Sequence, residues 1–363
     1  MNPSEYALRR EERALYELRG LYQRYGYAQY KMGKFEEYDL YARNKDFLVS
    51  DGIITFTDTD GRLMALKPDV TLSIIKNAKE AEGFVQKVYY SENVYRISGS
   101  TRQFKEIMQT GLECIGDVDL YNLCEVISLA ARSLDVIYPA NVLELSHMGV
   151  VSALVSGLNL QEETRSAVLR CIGEKNMDDI RRLCPGADLS GVMALVASHG
   201  EPGKVIAALR PFCGHGPARE ALNELQAVCE SLKKRGFDRV QVDFSIVNDM
   251  SYYNGIVFRG YIEGIPAGVL SGGQYDKLMQ RMGKKSKAVG FALYMDLLER
   301  FGGQTRPYDV DTLLLYDEGA DEGELARAVE ALSQEGSVTA QRRAPAGLKY
   351  RRCLRLQEVE RHD

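Results

Sequence analysis

The chain has 363 residues, 45% of them hydrophobic, with 46 basic against 51 acidic side chains and a formal net charge of -5. That is enough apolar material for one large core plus a smaller unit, and the acidic balance argues against a broad nucleic-acid footprint, which needs clustered Lys and Arg. No apolar run approaches the roughly 18 residues that span a bilayer, and the charged start MNPSEYALRREERALYEL lacks a signal peptide's apolar centre, so a cytoplasmic protein is expected.

The first segment predicts an amphipathic helix from a Ser4 cap to Gly26, with Leu8, Leu15, Leu18, Leu21, Tyr22 and Tyr25 on one face. Short strands follow. In IITFTDTDGRLMAL the pair Asp60-Gly61 between alternating apolar runs signals a hairpin, and KPDVTLSIIKNAKEA then opens a helix. From Lys87 the pattern reads strand, polar loop (Ser98 to Lys105), strand, and a helix over LYNLCEVISLAARSLDVI. Between Gly149 and about Gly236 the periodicity is helical without strand signals, as expected of an inserted subdomain. Strands resume with VQVDFSIV, GIVFRGYI and the glycine-rich GVLSGGQYDKL. The tail reads strand, helix, strand, strand. Hairpin rather than crossover spacing predicts an α+β protein, an antiparallel sheet flanked by helices.

Generic chemistry finds little support. Seven cysteines (114, 124, 171, 184, 213, 229, 353) form no C-x-x-C pair and stand near no histidine at zinc spacing, so reduced, mostly buried thiols and no metal are expected. Four scattered histidines (147, 199, 215, 362) offer no catalytic constellation, and His147 is expected at a strand end against the core. Gly272-Gly273 lacks the following G-K-[ST] of a phosphate loop, and GLECIG lacks the context of a dinucleotide fingerprint. The basic run Arg342-Arg343 and Lys349 to Arg352 reads as solvated surface.

Four motifs carry a resemblance. They are Pro68-Asp69-Val70-Thr71; Arg96 followed by Lys105-Glu106-Ile107-Met108-Gln109-Thr110-Gly111-Leu112-Glu113; Asn248-Asp249-Met250-Ser251-Tyr252-Tyr253-Asn254-Gly255-Ile256-Val257-Phe258; and Gly272-Gly273-Gln274-Tyr275-Asp276. Over about Tyr6 to Arg300, their order resembles the catalytic domain of histidyl-tRNA synthetase, a class II aminoacyl-tRNA synthetase. The resemblance implies a class II fold over residues 1–148 and 237–303, a helical insertion over 149–236, and a small truncated α/β segment over 304–363. It also implies a histidine pocket. Asp69, Thr71 and Gln109 match contacts to the α-amino group, Glu113, Tyr253 and Tyr275 match the imidazole end, and Tyr252 stands beside them.

The departures from that family carry as much information. Arg96 matches an ATP-binding arginine, which makes it a candidate anion-binding residue. In the third class II motif, however, Tyr294 replaces a glycine, and Asp296 or Leu297 stands where a second arginine belongs. Asn248 replaces the loop arginine. Planar guanidinium groups clamp phosphate in a way these residues do not, so adenylate formation is expected to be lost. The tail after Pro307 looks shorter than an anticodon-binding domain and has an acidic first half, so no tRNA partner is expected.

A histidine pocket without activation machinery, together with the P-D-x-T form of the first motif, resembles the ATP phosphoribosyltransferase regulatory subunit family. That resemblance implies no catalytic residue and no cofactor. It implies assembly with a short-form catalytic subunit that needs this chain for activity, and feedback sensing of L-histidine in the first step of histidine biosynthesis. A class II-like homodimer would use the first helix and KFEEYDLYARNKDFL. The alternatives are an enzyme that adenylates histidine or another acceptor, and a scaffold with a vestigial pocket.

Overall fold

The computed structural model describes residues 10–48, 52–98, 101–246, 253–299 and 308–359, without the side chains of Arg10, Asp46 and Glu299. The chain divides into two compact units, Ala14–Phe301 and Met1–Arg13 with Gly302–Asp363. The first described helix, Arg10–Arg24, buries Leu18, Leu21 and Tyr22. It stops where Gly26 takes a left-handed φ of 80°, a conformation open to a residue without Cβ. The expected Ser4 cap and Leu8 lie outside the described residues.

In chain order the strands of the larger unit begin with β1 (Ala28–Gln29), β2 (Phe35–Glu37), β3 (Thr55–Thr57), β4 (Leu63–Leu66), β5 (Val85–Ile97) and β6 (Phe104–Gly116). They continue with β7 (Asn141–His147), β8 (His199–Gly200), β9 (Val240–Asp243), β10 (Ile256–Ile262), β11 (Leu270–Gln274) and β12 (Lys287–Tyr294). Nine of them form one sheet in the order β1-β5-β6-β12-β11-β10-β7-β9-β8, and β2-β4-β3 form a small antiparallel sheet built on the Asp60-Gly61 hairpin. The centre of the large sheet is antiparallel, as hairpin spacing predicts. Towards its ends, β1 pairs parallel with β5 and β7 pairs parallel with β9. In the second case the whole helical segment lies between the paired strands, which gives the chain length enough to return in the same direction.

Each face of the large sheet buries its own cluster. One face carries Tyr89, Leu112, Cys114, Phe258, Phe291 and Leu293, covered by the helix Leu120–Ile137. Asp119 starts that helix with a reciprocal capping box to Asn122. The helices between Met148 and Lys234 share this cluster through Val150, Leu195, Leu209, Leu222 and Leu225. The segment read as purely helical contains the two-residue β8, antiparallel to β9. His147 ends β7, buried, with Nδ1 accepting from Gly149 N at 3.0 Å and Nε2 2.9 Å from Glu224 Oε2. The opposite face carries Val88, Tyr90, Val94, Ile115 and Ala288 against Leu72, Ile74, Ile75, Tyr275 and Leu278.

The smaller unit is a parallel sheet, β14 (Val338–Gln341), β13 (Val310–Leu315) and β15 (Tyr350–Arg355), with the helix Glu322–Ser333 capped by Asp321. Leu314, Ala328, Leu332 and Leu356 form its core. Its basic residues are surface groups: Arg342 lies 3.5 Å from Glu318 and Arg352 lies 2.6 Å from Glu335. Six cysteines are buried and Cys353 is exposed, all as free thiols. Among the described residues, no helix is long and apolar enough to cross a membrane, and no group of His, Cys, Asp or Glu is placed to hold a metal ion.

Candidate functional site

The alternation of a strand puts Gln109, Gly111 and Glu113 of β6 on one face of the sheet. The register then decides what surrounds them. Glu113 stands between Val88 of β5 and Gly290 of β12, Gly111 between Tyr90 and Ala292, and Gln109 between Glu92 and Tyr294. Gly290 in turn faces Gly273 of β11. The floor of this trough is therefore made of small residues, and the close packing requires them. A Cβ on Gly290 would overlap the Glu113 carboxylate, one on Gly111 would overlap the Phe291 carbonyl, and one on Gly273 would stand 2.7 Å from the Tyr253 ring.

Glu113 is 2% exposed and is held at both oxygens. Thr71 Oγ1 donates to Oε1 at 2.7 Å and Tyr275 OH donates to Oε2 at 2.5 Å. Burial raises the carboxyl from its ordinary 4.5 to about 8; the Tyr275 and Thr71 hydrogen bonds oppose that shift and the Asp69 charge adds to it. The same crowding of oxygen atoms acts on Tyr90, whose hydroxyl is raised well above its ordinary value by burial and then by Glu113, Asp69, Tyr294 and Tyr253. Asp69 is raised by burial as well, opposed by the amide N–H of Leu72, which donates to its Oδ1 at 2.8 Å, and by the charge of Arg96.

Each side chain is placed by local features. Asp69 and Thr71 sit where β4 runs into the helix Thr71–Lys76, and the approach is locked by Arg96 Nε, which donates to Pro68 O at 2.9 Å. Next to it, Lys67 is 1% exposed and pairs with Glu92 at 2.6 Å, while Tyr95 N donates to Lys67 O at 2.9 Å. Tyr275 lies between two residues that tie neighbouring chain together. Gln274 Oε1 accepts from Ile256 N at 2.6 Å, a contact that leaves no room for a Cβ on Gly255. Asp276 Oδ1 accepts from Ala288 N at 2.9 Å, and its Oδ2 accepts from Asn254 at 3.3 Å. These contacts also fix the exit of Tyr253, which packs against both core clusters.

The structure thus brings Asp69, Thr71, Gln109, Glu113, Tyr253 and Tyr275 to one trough, with Arg96 at its edge. Tyr252, Asn248 and Asp249 lie outside the described residues. Sequence reading missed Tyr90 as a wall of the trough and Gly111, Gly273 and Gly290 as its floor. The i, i+2, i+4 spacing of Gln109, Gly111 and Glu113 was the available signal for Gly111, whereas Tyr90 and Gly290 emerge only from register. Chemically, the trough offers two carboxyl groups and several hydroxyls to a small ligand rich in N–H donors, such as an ammonium or an imidazole.

This mixed sheet, with its small-residue trough and buried carboxyl between the P-D-x-T turn and the Gly-Gly-Gln-Tyr-Asp strand end, has the architecture of a class II synthetase core. The chain belongs to the histidyl-tRNA synthetase family, whose model, described as "Histidyl-tRNA synthetase", matches residues 2–298. A curated relative from Clostridium kluyveri, named ATP phosphoribosyltransferase regulatory subunit, is 29% identical over 338 residues, 88% of this chain and 86% of that protein. A solved structure from Bacillus halodurans, described as an ATP phosphoribosyltransferase regulatory subunit/histidyl-tRNA synthetase, superimposes with a TM-score of 0.78 at 23% identity over 98% of this chain and 95% of that one. A chain from an ATP phosphoribosyl transferase complex of Thermotoga maritima shares the fold with a TM-score of 0.63 at 20% identity, covering 78% of this chain and 97% of that one.

Proposed function

We propose that this chain is a non-catalytic regulatory subunit of ATP phosphoribosyltransferase, acting in the first step of histidine biosynthesis in the cytoplasm. It assembles with a short-form catalytic subunit, a glycosyltransferase that needs it for activity, and it senses histidine through the trough around Glu113. The observation that carries this reading is the buried carboxyl of Glu113, oriented by Thr71 and Tyr275 and walled by tyrosines, in a chain whose curated relatives bear the regulatory-subunit name. In this reading the imidazole lies against Glu113, Tyr253 and Tyr275, with Tyr252 nearby. The ammonium lies against Asp69, Thr71 and Gln109.

The loss of synthetase chemistry is supported by the residues at the end of β12 and just beyond it. Tyr294, Met295, Asp296 and Leu297 supply no cation; Met295 is buried and Leu297 packs on the main core. Arg96 is the candidate anion contact, and its Nε is already engaged with Pro68. A carboxylate or an apolar side chain beside a transferring phosphate leaves charge unpaired. In this reading the helical segment 149–236 is an insertion subdomain within the class II-like core of 1–148 and 237–303, and 304–363 is a small α/β appendage. A homodimer would use the first helix and the segment from Lys34 to Leu48. Phe35 there is 57% exposed and meets Phe56 edge to face at 5.2 Å.

Histidine acts in this scheme by binding one state of the assembly better than another, shifting the equilibrium by its differential affinity. The test is reconstitution of the purified chain with a short-form catalytic subunit. Activity is expected to require this chain and to fall with added histidine, and Glu113→Ala is expected to keep activation while losing the inhibition. Activity that neither needs the chain nor responds to Glu113→Ala overturns the proposal, as does pyrophosphate exchange dependent on histidine.

A further inference from the structure

Among the described residues, the row of small side chains that β12 gives to the trough ends at one large side chain. Along the pocket face of β12 the residues are Gly290, Ala292 and Tyr294, opposite Glu113, Gly111 and Gln109 respectively. The first two are small, and the Glu113 carboxylate packs directly over Gly290. The third is a half-buried tyrosine at the last position of the strand.

Immediately beyond it Met295 N bonds to Met108 O at 2.9 Å and the helix Asp296–Glu299 begins, so β12 contributes no further residue to that face. The alternation of β12 puts Tyr294 on the same face as Gly290 and Ala292, in register with Gln109. The phenol therefore stands over the Gln109 row as an end wall.

We propose that Tyr294 is a specificity-determining residue that closes the Gln109 end of the trough, so that the site takes a free amino acid and excludes one whose carboxyl carries a bulky substituent. The inference rests on the histidine-binding reading above. With the side chain at Glu113 and the ammonium at Asp69 and Gln109, the carboxyl group is directed past the Gln109 row, towards Tyr294. A free carboxylate is small enough to stop short of the ring. An amide or ester with a large substituent meets the ring, whose backbone the β12 pairing holds opposite Gln109. A pocket of this kind reports the concentration of the free amino acid and ignores activated or conjugated forms.

The test compares two derivatives that both carry an uncharged amide in place of the carboxylate and differ in its size: histidine amide and histidine benzylamide, titrated calorimetrically against the full chain. In the wild type the benzylamide is expected to bind at least tenfold more weakly than the simple amide. In Tyr294→Gly and, as a second enlarged end, Tyr294→Ala, that ratio is expected to fall below about threefold. Tyr294→Phe keeps the ring and should keep the ratio. Equal binding of the two amides by the wild type, or a ratio that survives in both enlarged variants, overturns the inference while leaving histidine binding intact. Failure of the wild type to bind histidine itself is a different result, which overturns the functional reading and this assignment with it.

Discussion

Replacing Glu113 with glutamine is expected to change stability in a way that depends strongly on pH. The carboxyl is ordinary in the unfolded chain, near 4.5, and rises to about 8 in the folded protein because burial penalises its charge more than Thr71 and Tyr275 relieve it. Linkage sets the sign. A carboxyl with a raised folded value leaves stability intact below 4.5, and stability is lost progressively as pH rises from there through about 8. At 1.36 kcal/mol per pH unit, the wild type forfeits about 1 kcal/mol at pH 5, about 3 at pH 7 and about 5 at pH 8.5. Glu113→Gln removes the titration and keeps an oxygen acceptor in place, so the variant should gain on the wild type by those increments as pH rises.

The chain has no tryptophan, so urea unfolding followed by circular dichroism at the three pH values is the suitable assay. Titrating groups remote from Glu113 are common to both proteins and cancel in the difference; Asp69 and Tyr90, which are coupled to Glu113, do not. A difference that stays constant within about 1 kcal/mol from pH 5 to 8.5 would show that Glu113 titrates normally, and would refute a desolvated carboxyl at the centre of the site.

Other substitutions probe the surroundings. Gly290→Ala places a Cβ onto the Glu113 carboxylate and should cost about 1 to 3 kcal/mol by overpacking, with histidine affinity falling at least tenfold in calorimetry; unchanged binding would refute the close approach. Lys67→Met leaves Glu92 without its cationic partner, with only the Met32 amide donating to it among the described residues. Because the Glu92 side chain keeps 18% exposure, the cost should be about 2 to 3 kcal/mol in urea unfolding, below the 3 to 5 typical of a fully buried pair, and a loss under 0.5 would refute a structural pair. Of the seven cysteines, Cys353 alone should react rapidly with a thiol reagent in the native state, and Cys353→Ser should abolish the fast phase; a second fast equivalent would contradict the burial of the other six.

The amino-acid sequence by itself determined the elements and the chemistry available to the site. The apolar period of LYNLCEVISLAARSLDVI marks the helix Leu120–Ile137, and Asp60-Gly61 marks the hairpin of β3 and β4, because both signals are local and the burial they need comes with them. The four motifs named the carboxylates, the hydroxyls and the missing cations. Two features were decided elsewhere. The parallel pairing of β7 with β9 joins strands separated by the whole helical segment, and no local pattern records such a partner. The trough itself depends on register. Glu113 meets Gly290, Gly111 meets Tyr90, and Tyr294 meets Gln109 only because three strands align to the residue, and a shift by one position would turn every one of those side chains to the opposite face. Glutamate in a strand is usually a solvated group; tertiary packing alone makes this one a buried, protonatable centre.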